Sequence, residues 1–141
     1  MSAKGAPRFT ESQRLALSER AKGVAQTIVE QLGGANVLRA CLGGELRAFY
    51  DREGIPGLQI CGIDMRAHGG ETACIRILLM PDDTYTVRSY GHPDASSEGK
   101  PIKRTDDIYC DQLTDAIESV SGYTVQPIRL RAVASSAPGL G

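Results

Sequence analysis

The chain has no tryptophan, and aromatic residues fill only 5% of its 141 positions. A platform of stacked aromatic rings for bases or sugars is therefore not expected. Neither sign of charge dominates: the formal net charge is −1, which argues against nucleic-acid binding by bulk electrostatics. No apolar run approaches the ~20 residues of a membrane-spanning helix, and the N-terminus lacks the apolar core of a signal peptide. Cysteine is sparse. Cys41, Cys61, Cys74 and Cys110 lie in apolar segments without CxxC spacing, and read as reduced core thiols of a cytoplasmic protein. Only His68 and His92 are available as ordinary general bases, both in polar segments that read as mobile loops.

What is present is an ordinary globular composition, 41% hydrophobic and 23% charged. A chain of this length is most simply one domain, burying roughly two-thirds of its unfolded surface around a single core. Its centre is the stretch over residues 73–90. Two runs of β-branched and apolar residues flank Pro81-Asp82-Asp83, which is turn chemistry. With those three residues as the loop, Met80 faces Thr84. Ile75, Ile77 and Leu79 then share one face with Tyr85, Val87 and Ser89, while Arg76, Leu78 and Met80 oppose Arg88, Thr86 and Thr84 on the other. The first face is almost wholly apolar and must be covered, so the hairpin is expected at the middle of an antiparallel sheet.

The surrounding elements follow from local signals. Residues 1–9 read as a flexible N-terminus, residues 10–133 as the single domain and residues 134–141 as a disordered tail. Thr10 and Gln13 form a capping box ahead of a helix. Leu17, Ala21, Val24, Ile28 and Leu32 give that helix its apolar stripe, and Gly33-Gly34 ends it. Strands are predicted over 36–42, 45–50 and 58–65, with Gly43-Gly44 as a hairpin turn. Residues 66–72 and 91–100 read as polar loops. A short edge strand is placed at 101–104, a second helix at 106–121, and strand character at 125–133. The second helix buries Tyr109, Leu113, Ala116, Ile117 and Val120 and turns an acidic stripe outward: Asp107, Asp111, Asp115 and Glu118. The predicted class is α+β, an antiparallel sheet of about five strands with two helices on one face, in the order α-β-β-β-β-β-α.

Several segments occur together and in order: Leu32-Gly33-Gly34, Arg39-Ala40, Gly57-Leu58-Gln59, Ile75-Arg76-Ile77, Asp83-Thr84-Tyr85-Thr86-Val87, Tyr109-Cys110-Asp111-Gln112-Leu113 and Ser121-Gly122-Tyr123. This set resembles a family of small proteins of uncharacterised function carried by phages, prophages and plasmids. The resemblance spans roughly residues 31–123. It departs at Cys41-Leu42-Gly43-Gly44-Glu45, where the family carries Met-Thr-Gly-Ala-Lys, so a role resting on that lysine does not carry over to Glu45. The resemblance implies a mobile-element setting and no particular chemistry.

No catalytic constellation stands out, and no cofactor or metal is expected. A zinc site from Cys61, His68 and Cys74 lacks the usual spacing and a fourth ligand. A Cys–His nucleophilic pair using Cys74 or Cys110 is weak, because both cysteines read as buried. The candidate binding residues are Arg76 and Arg88, like charges set opposite one another, and the stripe Asp107, Asp111, Asp115 and Glu118. Asp64 and Glu71 are the expected internal partners of the arginine pair. The function expected is a non-enzymatic accessory protein of a phage or plasmid that binds a host or element-encoded macromolecule, with interference in host defence as one form. A protein partner is favoured. Nucleic acid or a nucleotide on the arginine-bearing face, a small enzyme using Cys74 or His68, and a homo-oligomer stay open. No membrane is involved.

Overall fold

The computed structural model describes residues 9–91 and 101–125. The predicted strand at 125–133 beyond its first residue, the tail 134–141, His92 with the loop after it, and residues 1–8 lie outside the described residues. The first helix, α1, spans Glu11–Gln31. Its capping box forms as read: the Thr10 amide donates to Gln13 Oε1 at 2.8 Å and the Gln13 amide to Thr10 Oγ1 at 3.1 Å. Ala21, Ala25, Ile28 and Leu32 are buried along one side. Gly33 and Gly34, at φ of 105° and 106°, turn the chain in a region closed to most side chains.

Residues 36–42 do not form the predicted strand. They belong to a second helix, α2, over Ala35–Cys41. A strand would send Val37 and Leu38 to opposite faces, whereas a helix buries both together with Leu42. Gly43-Gly44 accordingly leads from α2 into a strand rather than closing a hairpin.

Five strands follow: β1 (Glu45–Tyr50), β2 (Pro56–Cys61), β3 (Cys74–Leu79), β4 (Tyr85–Tyr90) and β5 (Lys103–Ile108). They form one antiparallel sheet in the order β1-β2-β3-β4-β5, as the α+β expectation requires. The central hairpin has the predicted register. Met80 accepts from Asp83 and donates to Thr84 across the loop, and Arg76 pairs with Arg88, Ile77 with Val87 and Leu78 with Thr86. Asp83 adopts φ of 69°, a left-handed position that aspartate tolerates. Between β2 and β3 the polar segment is not a simple loop. It contains a one-turn helix, α3 (Met65–His68), capped by the Asp64 carboxylate.

Strand β5 is longer than the predicted 101–104, and the last helix correspondingly shorter. Residues 106–108, assigned to that helix from sequence, complete the sheet edge against β4, with a register shift opposite Tyr85–Val87. Asp107 sits in this irregularity at φ of 58°. A 3-10 turn (Cys110–Gln112) then leads into α4 (Leu113–Ser121). Tyr109 precedes the helix and is 61% exposed, not buried as predicted. Leu113, Ala116, Ile117 and Val120 form the buried stripe as read.

Helix α1 packs over β1 and β2, and α4 over β4 and β5, so both lie on one face of the sheet. Ile28, Leu32, Leu58, Ile60, Ile75, Ile77, Val87 and Ile117 belong to a single apolar cluster between them. Ser89 is wholly buried in this layer, and its hydroxyl donates to the Val120 carbonyl at 2.8 Å. That bond ties sheet to helix and satisfies the buried hydroxyl. No helix among the described residues is long and apolar enough to cross a membrane.

Candidate anion-binding face of the sheet

The opposite face carries the polar residues of interest. In an antiparallel sheet directly paired residues point the same way. Following the pairs outward from Arg76 and Arg88 gives a continuous row: Arg47 pairs with Gln59, Gln59 with Arg76, Arg76 with Arg88, and Arg88 with Arg104. One rung across all five strands thus holds four arginines and a glutamine. With strands about 4.8 Å apart, its backbone length is about 19 Å.

Among the described residues the rung is compensated at its ends and not in the middle. On β1, Arg47 Nη2 lies 3.7 Å from Glu45 Oε1. On β5, Arg104 Nε lies 3.2 Å from each Asp106 oxygen. Arg76 Nε donates to Gln59 Oε1 at 2.9 Å, and its guanidinium lies over the Phe49 and Tyr90 rings, 4.7 Å and 5.6 Å from their centroids. These contacts hold the side chain without neutralising it. Arg88 has a buried Nε with no hydrogen-bond partner among the described residues. Asp64 and Glu71, the carboxylates expected beside this pair, serve elsewhere. Asp64 accepts from the Arg66 and Ala67 amides as the cap of α3, and Glu71 is exposed.

Asp106 is the carboxylate nearest in effect. The Arg104 guanidinium bonded to it, and the Thr86 hydroxyl donating at 3.0 Å, hold its pKa below the usual carboxylate value against partial burial, with a smaller pull from the Arg88 charge. It lines a groove of about 460 Å³ together with Thr84, Thr86, Arg88 and Arg104. Asp82 at the rim is turned inward on its own loop, accepting from the Thr84 hydroxyl and amide, and these two bonds lower its pKa as well.

Flanking rungs set the arginine row between largely apolar, mostly buried rows. Glu45, Cys61, Cys74 and Tyr90 form the row on one side, and Phe49, Gly57, Leu78 and Thr86 the row on the other. Gly57 has a steric reason: a Cβ there would collide with the Ile77 carbonyl oxygen. Its missing side chain also leaves Phe49 room to reach across β2 to Arg76. Cys61 and Cys74, expected as reduced thiols, are joined in a disulfide. They are direct cross-strand partners with Cα atoms 4.2 Å apart, close to the nearer of the two antiparallel spacings. That pairing removes Cys74 as a nucleophile and both residues as zinc ligands. Cys41 stays free and partly buried. Cys110 is free and exposed, where burial was expected.

The remaining candidates are not gathered with the arginines. Asp107 lies at the β5 irregularity, Asp111 in the 3-10 turn, and Asp115 and Glu118 on α4, so the predicted four-residue helical stripe is broken into two segments. All four are exposed, and none makes an ion pair among the described residues. His68 is held by structure: its Nε2 donates to the Leu42 carbonyl at 3.1 Å and its ring stacks on Tyr123 at 4.5 Å. The Tyr123 hydroxyl in turn donates to the Thr72 carbonyl and accepts from the Thr72 amide. No cluster of three or more metal-ligating side chains occurs among the described residues. Sequence reading found Arg76 and Arg88 but missed Arg47, Gln59 and Arg104, which only the register of the outer strands brings into line. No protein-family model, curated protein or solved structure matches the chain.

Proposed function

We propose that this protein is a non-enzymatic accessory protein that binds a macromolecule, in the mobile-element setting its sequence resemblance implies, and that the arginine-bearing sheet face takes an anionic part of that partner. One observation carries the reading. Arg76 and Arg88 stand directly opposite one another with no carboxylate of the described residues bonded to either, while the arginines at both ends of the same rung are paired. Like charges placed this way cost stability in the free protein. An incoming phosphate or carboxylate between the two guanidinium groups reverses that cost, since the planar fork of arginine suits both anions.

The test is retention on an immobilised polyanion such as heparin at low salt. Wild-type protein is expected to be retained, and the Arg76→Gln/Arg88→Gln double variant to elute early. A charge-matched control, Arg20→Gln/Arg52→Gln, removes two exposed arginines away from the rung and is expected to behave as wild type. Equal loss in both variants, or no retention of the wild type, rejects the reading.

A further inference from the structure

We infer that β5 is a dimerisation strand: it pairs antiparallel with β5 of a second copy about a two-fold axis at Thr105, joining the two sheets edge to edge. The strand order leaves one side of β5 unpaired among the described residues. Lys103, Arg104, Asp106 and Asp107 are all exposed. An open edge of this kind is a template for another strand, and proteins commonly guard such edges with charge. A guard against self-pairing carries one sign. Residues 103–107 read Lys-Arg-Thr-Asp-Asp, basic before Thr105 and acidic after it, so each charge meets its opposite when the strand is laid antiparallel on itself.

The backbone selects the register. The Met80 amide donates to the Thr84 carbonyl, so Thr84, Thr86 and Arg88 turn their amides and carbonyls toward β3. The alternate residues Tyr85, Val87 and Ser89 turn theirs toward β5, and the Ser89 carbonyl accepts from the Ile102 amide. Thr105 is paired with Val87 and directs its own groups to β4, which leaves those of Arg104 and Asp106 on the open side. Hydrogen-bonded pairs across the new seam must join two such outward residues. Arg104 opposite its own copy sets cation on cation, and Asp106 opposite its own copy sets carboxylate on carboxylate. Arg104 opposite Asp106 of the second copy sets unlike charges together on both sides of the axis, and is the favourable choice. The register shift at Asp107 keeps the regular segment short, so a concentration-dependent dimer of modest affinity is expected.

A separate observation lies at the ends of the strand. Ile102 and Tyr109, 42% and 61% accessible, are two of the three exposed large apolar side chains among the described residues, and they flank β5. The same register brings Ile102 of each copy beside the Ile108 and Tyr109 end of the other, removing apolar area from water at both ends of the seam. The opposite sheet edge is less open, since the Phe9 ring packs edge-on against Tyr50 of β1. Directly paired residues point the same way, so the dimer carries both arginine faces on one side. The pairing does not depend on what that face binds.

Sedimentation equilibrium of the full chain at rising concentration tests this. Wild type is expected to pass from monomer to dimer. Arg104→Asp and Asp106→Arg each set like charges across the seam and are expected to weaken the dimer about tenfold or more. An equimolar mixture of the two variants is expected to restore it, because each then meets the opposite charge. Cross-linking reads the register separately, in a Cys110→Ser background that removes the exposed native thiol. Thr105→Cys faces its copy across about 4.5 Å between Cα atoms, within reach of a disulfide, and is expected to give a covalent dimer under mild oxidation. Ile102→Cys lies about 20 Å from its copy and is expected to give none. A wild type that stays monomeric up to its solubility limit overturns the inference, as do single reversals that dimerise like wild type. Equal cross-linking of the two cysteine variants overturns it as well, whether or not the reversed chains fold.

Discussion

The two faces of the sheet are built on different terms. On the inner face, Leu58, Ile60, Ile75, Ile77 and Val87 of β2, β3 and β4 are apolar, buried and part of one cluster with α1 and α4. On the outer face the same strands carry arginines, a glutamine, threonines and a disulfide. Inner-face stability comes from area removed from water, which is large and indifferent to pH or salt. The outer face adds directional and charged contacts to a small apolar cluster of Cys61, Cys74 and Tyr90, and one buried donor there has no partner among the described residues. The inner face specifies the fold, whereas the outer face keeps an unmet electrostatic demand that a fold alone gives no reason to keep.

The largest expected effect that separates them is a truncation. Ile77→Ala removes a fully buried side chain from the centre of the inner cluster and should cost about 2–5 kcal/mol in urea unfolding. A loss under 1 kcal/mol would mean the two faces are not distinguished by packing. Next comes Gly57→Ala, where the added methyl meets the Ile77 carbonyl oxygen and β2 must move from β3. The expected cost is about 1–3 kcal/mol. A variant as stable as the wild type would show that the sheet yields there without strain.

A smaller effect tests the outer face itself. Arg88→Gln removes one of two opposed charges and a buried unpaired nitrogen, and is expected to leave stability unchanged or raise it by up to about 1 kcal/mol. Arg76→Gln should lower it slightly, since it surrenders contacts with Gln59, Phe49 and Tyr90. A double-mutant cycle should return an unfavourable coupling between the two arginines. If Arg88→Gln alone costs more than about 1 kcal/mol, the guanidinium is already satisfied within the protein and the demand is internal.

How much of this was legible in the sequence depends on the length of each connection. The three residues Pro81-Asp82-Asp83 fix the β3–β4 register, so the opposition of Arg76 and Arg88 follows from counting. The same counting across residues 51–55 pairs Arg47 with Gln59, had Asp51 been recognised as closing that loop by accepting from the Glu53 and Ile55 amides. Between β2 and β3, counting fails. Residues 62–73 include a turn of helix and a left-handed Gly62, and nothing local tells Gln59 to meet Arg76. At β5 the local signal misleads. Asp106 and Asp107 look like the acidic start of a helix, but pairing with β4 completes the sheet edge and wins over that preference. The helix at 35–41 was lost because a short apolar run fits either period until its covering partner is known. The disulfide was lost because it depends on the same unreadable β2–β3 register.

The smallest effect concerns the compensated end of the rung. Asp106 is held below the usual carboxylate value chiefly by its bond to Arg104, then by the Thr86 hydroxyl. A carboxyl group whose pKa is lower in the folded than in the unfolded chain contributes stability that is fully present above the unfolded value, about 3.9, and is lost as pH falls through the folded value. The pair is surface-exposed, with side chains 54% and 44% accessible, so screening limits it to a few tenths of a kcal/mol. Asp82 is also lowered, by Thr84, and therefore leaves some acid sensitivity in every variant. Against that background Arg104→Gln should cost stability at pH 6 and nothing at pH 2, with the difference shrinking in high salt. Thr86→Val should show the same sign with a smaller amplitude. The penalty of Ile77→Ala, by contrast, should be the same at both pH values, because no charge takes part in it. Urea midpoints of the wild type and the three variants at pH 6 and pH 2 decide the matter. An Arg104→Gln penalty that persists undiminished at pH 2 would mean that packing of its aliphatic stem, and not its bond to Asp106, is what the β5 end of the rung contributes.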